Sequence, residues 1–393
     1  MSHLILKQGK NMKMTKLSLV AALAVSAAFA GGDIAPVEPV VAAPATDCNK
    51  ATTVAGKLQG YYITDDSSVT NDMFSKEQSQ LGLAATLDVT HNFTDNIAAN
   101  FSAVGYLNAL KKPNLQYMEG SKKGAFFNVA NITATFADTT FILGRQLIDS
   151  PMFGGFDWLL APGAFEAYTI ANKSIDDLTL VGTYVTKWRA NNTGDFGSDL
   201  AGDNFALGAV YNNKDLADIS LWFYNIDANG GTSEYTQVYV DAAKDIAGFN
   251  IAAQYVNTNY NGLTDAQAYG LKIGTEFAGI NLSAAYNKIQ DNNTAFVGVD
   301  SLYTSSWNTF ASAERTFNGS DIDAFKLAAS TEFAGINAEV SYADYDKGNE
   351  TDVILGYGVT ESINLDAIYT NTKASFTAGK SVNALELVGT YKF

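Results

Sequence analysis

The chain has 393 residues with 20 Tyr, 23 Phe, 33 Gly, one Cys and a formal charge of −16. A lone thiol, Cys48, excludes a disulfide framework and a cysteine-based zinc site. The acidity excludes a nucleic-acid binder that relies on a basic surface. Beyond the first thirty residues no run approaches the roughly 20 apolar residues of a membrane-crossing helix, so a helical bundle is excluded too.

Residues 12–30 read MKMTKLSLVAALAVSAAFA. Lys13 and Lys16 form a charged start, Leu17 to Ala30 an apolar stretch, and Ala28-Phe29-Ala30 a small-residue cleavage site. This is the pattern of a secretory signal peptide. Residues 1–11 read as an upstream extension. Removing residues 1–30 takes away four Lys and no acid, which moves the net charge from −16 to −20. Residues 31–54 form a Pro- and Ala-rich leader, expected to be a flexible periplasmic segment. Cys48 follows Ala45-Thr46-Asp47, which is not a lipoprotein signal.

From 55 to 393 the period is two. Leu81, Leu83, Ala85, Leu87 and Val89 alternate with Gly82, Ala84, Thr86, Asp88 and Thr90. Ile336, Ala338, Val340 and Tyr342 alternate with Asn337, Glu339 and Ser341. The segments are about ten residues long, the length of a tilted strand that crosses a membrane. Starts fall near 55, 78, 97, 125, 139, 165, 178, 203, 216, 234, 249, 267, 279, 322, 335, 351, 363 and 380. The expected fold is all-β: a transmembrane antiparallel β-barrel of 18 strands, with 16 as the alternative. Alternation is blurred between 125 and 187. Three Ala-Gly dipeptides, at 247–248, 278–279 and 334–335, mark tight hairpins. Short connections such as these alternate with long ones, at 108–124, 146–164, 189–202 and 291–321. That is the pattern of an outer-membrane barrel. The last strand alternates up to Tyr391 and Phe393, which resembles the signal read by outer-membrane assembly machinery.

Catalytic constellations are missing from the pattern. The two His are His3 and His91; the first leaves with the signal peptide and the second falls in a predicted turn. No Ser-His-Asp arrangement, Walker loop, zinc motif or dinucleotide fingerprint occurs, so the chain does not read as an enzyme. No cofactor is required. A pore instead needs a polar lumen with fixed charge. In the clearer strands the lumen-facing charges are Asp88, Glu276, Glu332, Glu339, Asp352, Asp366 and Glu386, against Lys272, Lys326 and Lys392. The expected lumen is net negative and favours cations. Acidic loop clusters offer weak calcium candidates: Asp195, Asp199 and Asp203, or Asp65, Asp66 and Asp72, or Asp344, Asp346 and Glu350. None has the spacing of a known calcium loop.

Residues 144–168 read GRQLIDSPMFGGFDWLLAPGAFEAY. Phe153, Phe156 and Trp158 would pack this third loop against the inner wall. Folded inward, it would place Arg145 opposite Asp149, Asp157 and Glu166 at a constriction.

The GRQ-x-x-D-S-P phrase, followed by P-x-x-F-E, resembles the porin D family of substrate-selective outer-membrane channels. It is similar also to the major outer-membrane porins of epsilon-class proteobacteria. The resemblance implies an eighteen-stranded barrel, an inward third loop and diffusion of small hydrophilic solutes. Some members are trimers. It carries a constriction role to Arg145 and Asp149, and to Asp157 and Glu166. The family's basic ladder is thin here: the arginines available are Arg145, Arg189 and Arg315. The departure favours a general, cation-preferring channel. The expected surroundings are outer-membrane lipid and lipopolysaccharide. One alternative is an adhesin or structural barrel that binds host or matrix molecules through the 291–321 loop, with Tyr303, Trp307 and Phe310.

Overall fold

The computed structural model describes residues 51–67, 72–110, 123–191, 193–194, 196–213, 215–227 and 234–393. The stretch read as a signal peptide and most of the stretch read as a leader lie outside these residues, as does the calcium candidate Asp195.

Eighteen antiparallel strands form one closed sheet. The first six are β1 (Thr52–Asp65), β2 (Ser79–Thr94), β3 (Ile97–Leu110), β4 (Lys123–Phe136), β5 (Thr139–Gln146) and β6 (Ala164–Ile175). They are followed by β7 (Leu178–Arg189), β8 (Ser198–Asn213), β9 (Ala217–Ile226), β10 (Tyr235–Ile246), β11 (Phe249–Tyr260) and β12 (Ala266–Phe277). The last six are β13 (Ile280–Gln290), β14 (Ile322–Phe333), β15 (Ile336–Tyr345), β16 (Gly348–Thr360), β17 (Ile363–Lys373) and β18 (Val382–Lys392). A five-residue helix α1 (Glu314–Asn318) precedes β14. Each strand pairs with its chain neighbours, and β1 pairs with β18 from Lys57↔Lys392 to Asp65↔Ala384. Closure leaves no sheet edge, as a wall immersed in lipid requires. The alternative of 16 strands is thereby set aside.

Phe393 completes the closure. Its N–H donates to the Gly56 carbonyl at 3.0 Å, and the Gly56 N–H donates to its carbonyl at 2.9 Å. A Cβ on Gly56 would lie 2.7 Å from the Phe393 ring, so only glycine leaves room for that ring.

The alternation sorts side chains by face. On β12, Tyr269, Leu271 and Ile273 are exposed while Ala268, Gly270 and Lys272 turn inward. The same holds round the wall: the exposed residues are Leu, Ile, Phe and Tyr, an apolar surface suited to lipid. Exposed aromatics gather at both ends. Phe93, Phe136, Phe277 and Phe333 lie beside the short turns, and Tyr168, Tyr269, Phe325 and Tyr342 towards the loops. Such girdles sit at membrane–water interfaces.

The Ala-Gly hairpins are tighter than Gly alone explains. Ala247, Ala278 and Ala334 have φ of 52°, 54° and 52°, and Gly248, Gly279 and Gly335 have 87°, 79° and 79°. Positive φ at both central residues defines the type I′ turn, whose twist matches the flanking strands. His91, expected in a turn, lies within β2, which runs on to Thr94, and its ring meets the Thr52 hydroxyl at 2.8 Å. The loop side also departs from the expected rhythm of long connections, because β15 and β16 are joined through Asp346 and Lys347 alone.

The blur between 125 and 187 has a local cause. Register shifts occur at Ser102/Ala103 in the β3–β4 pair, at Glu166/Ala167 in β6–β7 and at Val185/Lys187 in β7–β8. Each bulge inserts a residue and moves the following side chains to the other face.

Candidate functional site

Two loops meet the inward faces of the wall, the third (147–163) and the seventh (291–321). The 147–163 loop reaches β9, where the Met152 N–H donates to the Tyr224 hydroxyl at 3.3 Å. It also reaches β18, where Trp158 Nε1 donates to Glu386 at 3.2 Å. Its aromatics seat it: the Phe153 ring centroid lies 4.8 Å from that of Phe165. The end of the loop is held by Arg189, which is fully buried. Arg189 donates to Asn128 Oδ1 at 2.8 Å and to the Pro162 carbonyl, and its guanidinium lies 4.5 Å from the Phe126 ring centroid.

The 291–321 loop makes more contacts. Ser301, Tyr303 and Thr304 bond to Gln254 and Asn287 on β11 and β13. Lys326 Nζ on β14 donates to the Ser305 carbonyl at 2.8 Å. The Asn308 N–H and the Thr309 hydroxyl donate to the two oxygens of Glu350 at 2.7 and 2.5 Å. The Trp307 N–H donates to Asp352 at 3.3 Å, and its indole N–H to Glu386 at 3.1 Å. Asp300 inside the loop accepts from Leu302, Ser305 and Ser312, and burial pushes its carboxyl up.

The loops also bond to each other. The Gly154 N–H donates to the Val297 carbonyl and the Val297 N–H to the Met152 carbonyl, at 3.0 and 2.9 Å. Phe156 and Phe310 pack edge to face. Gly298, at φ 78°, admits this approach, since a Cβ there would sit 2.1 Å from the Gly154 oxygen. The 291–321 loop is therefore not an exposed adhesive surface. Tyr303 is 2% exposed, and Trp307 and Phe310 are half-buried.

The sequence-derived constriction residues separate into two groups. Asp149 and Asp157 lie in the 147–163 loop, both half-buried. Burial pushes the Asp149 carboxyl up to about 6. Burial also raises Asp157, against the opposing charge of Lys57. Arg145 and Glu166 are elsewhere. They are direct partners on β5 and β6, in the outward register of Leu143 and Tyr168. The inward neighbours of that register are Gln146 and Thr169, joined at 2.8 Å. The expected transverse field across a constriction thus loses its arginine. The reason is that β5 continues through Arg145 to Gln146, and the period of two fixes the face.

Of the expected lumen charges, Asp88, Lys272, Lys326, Glu339, Asp366 and Glu386 share the inward register. Glu276 and Glu332 also have inward parity but are exposed beside the Ala-Gly turns. Several residues were missed. Lys57 is inward on β1, between exposed Val54 and Leu58, and acts on both Asp88 and Asp157. Asp241 is inward on β10. Glu350, read as a loop ligand, is a fully buried wall residue. Of the other calcium candidates, Asp199 pairs with Lys187 at 3.4 Å and Asp203 accepts from Tyr184. Among the described residues no group of three or more His, Cys, Asp or Glu could hold a metal ion.

The fold is that of outer-membrane porins. The chain is similar to the OccK9 (OpdG) protein of Pseudomonas aeruginosa, with 17% identity, a TM-score of 0.71, and coverage of 87% of this chain and 98% of that one. For OccAB4 of Acinetobacter baumannii the identity is 16%, the TM-score 0.72 and the coverage 88% and 98%. A BenF-like porin from Pseudomonas fluorescens Pf-5 gives 14%, 0.72, 88% and 99%. No protein-family model and no curated protein matches the sequence.

Proposed function

We propose that the protein is a porin of the outer membrane, passing ions and small hydrophilic solutes passively through a polar lumen that prefers cations. One observation carries the reading: a lipid-compatible wall of eighteen strands has its inward face crossed by two loops that bond to each other and to the wall. Eighteen strands enclose more space than wall side chains fill, so the 147–163 and 291–321 loops set the aperture. Asp149 and Asp157 are the constriction charges. Asp88, Asp241, Glu339 and Asp366 add negative charge to the inward face, against Lys57, Lys272, Lys326 and Lys392. Focused negative charge raises the local concentration of cations. Its surroundings are membrane lipid and lipopolysaccharide, and the terminal strand with Tyr391 and Phe393 is the handle for barrel assembly machinery. Planar-bilayer recording tests the reading. Stepwise conductance with a cation-selective reversal potential is expected, and the absence of steps would sink it.

A further inference from the structure

Glu386 stands out among the inward carboxylates by what it holds. It is 1% exposed. Three donors from three separate parts of the chain converge on it. The Trp158 indole N–H comes from the 147–163 loop at 3.2 Å, the Trp307 indole N–H from the 291–321 loop at 3.1 Å, and the Tyr61 hydroxyl from β1. An ionised carboxylate is acceptor-only, with room for about four hydrogen bonds. Here three donors meet it, and at this burial it does not face open solvent. Of the two loops, its neighbours Glu350 and Asp352 on β16 bind the 291–321 loop, through residues 307–309, and Asp352 also accepts from Ser341 on β15. Glu386 binds both loops by side-chain hydrogen bonds.

Building on the porin reading, we infer that Glu386 is a positioning residue, a clasp on the last strand that fixes both lumen loops through Trp158 and Trp307 and so sets the aperture rather than the ion preference. A glutamine in its place turns an N–H₂ towards at least one indole N–H, donor against donor. A Phe in place of either Trp keeps the ring and removes the donor.

The test uses the full barrel in a Trp188→Phe/Trp222→Phe background, so that Trp158 and Trp307 are the reporters left among the four Trp. Glu386→Gln should raise acrylamide quenching of these indoles at least twofold and make single-channel currents flicker, with the reversal potential in a KCl gradient unchanged. Trp158→Phe/Trp307→Phe, which keeps the carboxylate, should flicker alike, and adding Glu386→Gln to it should change nothing more. The inference is overturned if Glu386→Gln shifts the reversal potential and leaves quenching at the parent value. It is overturned equally if the double Phe variant conducts as the parent does. Should Glu386→Gln fail to give the heat-modifiable band of a folded barrel, the double Phe variant decides. Should the parent show no channels, the porin reading fails and quenching alone still decides the clasp.

Discussion

Arg145 and Glu166 face each other across the β5–β6 ladder, Nε to Oε2 at 3.7 Å, on the outward side of the wall. Each is about one-third exposed. Arg145 also lies over the Phe196 ring at 4.4 Å. An exposed pair of this kind contributes about 0.2–1 kcal/mol. Arg145→Ala and Glu166→Gln should each leave the reversal potential unchanged and lower resistance to denaturant by no more than that amount. Bilayer recording and urea unfolding in micelles check the two halves separately.

Asp149 should make selectivity depend on pH. Its carboxyl is raised by burial to about 6, so it is neutral below that value and charged above it. Cation preference should therefore climb between about pH 5 and 7, and Asp149→Asn should flatten the climb. The stability sign is opposite to that of a salt-bridged acid. A carboxyl with a raised folded-state value holds its proton more tightly when folded, so stability falls as pH rises from its ordinary value, 3.8, through about 6. A profile unaltered by Asp149→Asn would assign the titration to another group.

Lys57 opposes Asp157 and Asp88 from the inward face of β1. Lys57→Gln removes a cation facing two carboxylates and should strengthen cation preference. Reversal potentials in a salt gradient read this directly, and the shift should shrink at high ionic strength, where screening is stronger.

Replacing residues 294–317 by a short Gly-Ser linker should raise single-channel conductance severalfold. It removes the segment that contacts strands from β10 to β18. It also uncovers Glu350, Asp352 and Glu386, so cation preference should rise with it. Equal conductance before and after would place the narrowest point in the 147–163 loop alone.

Ala278 holds φ of 54° in a type I′ turn, where a non-glycine residue is strained. Asn tolerates that conformation better. Ala278→Asn should stabilise the barrel by about 0.5–1 kcal/mol, measured as a shift of the unfolding midpoint in denaturant. The conductance should not change.

The wall was legible in the sequence because lipid outside and polar lumen inside impose one period on every strand. All eighteen starts fall within five residues of those observed, the largest gap being at β8, which begins at Ser198. The loops were legible only in part. Composition marks 147–163 and 291–321 as long connections, and the aromatics of the first suggested an inner wall. The same aromatics in the second, Tyr303 and Trp307, suggested an outer surface. Its true partners, such as Glu350 for Thr309, are chosen by the curvature of the closed barrel, which no local pattern contains. Arg145 was misplaced by one boundary. Taken as the start of a loop it could point anywhere, whereas as the penultimate residue of β5 it has one face.

The clasp at Glu386 also orders events in time. Trp158 is 228 residues before its acceptor and Tyr61 is 325 before it. Contacts this distant along the chain form late, because the loop between them must first be closed. The carboxylate belongs to the last strand, so neither indole can find it until that strand has joined the wall. On the porin reading, a barrel whose last strand has joined the wall but whose two loops have not yet docked would leak more than the finished one.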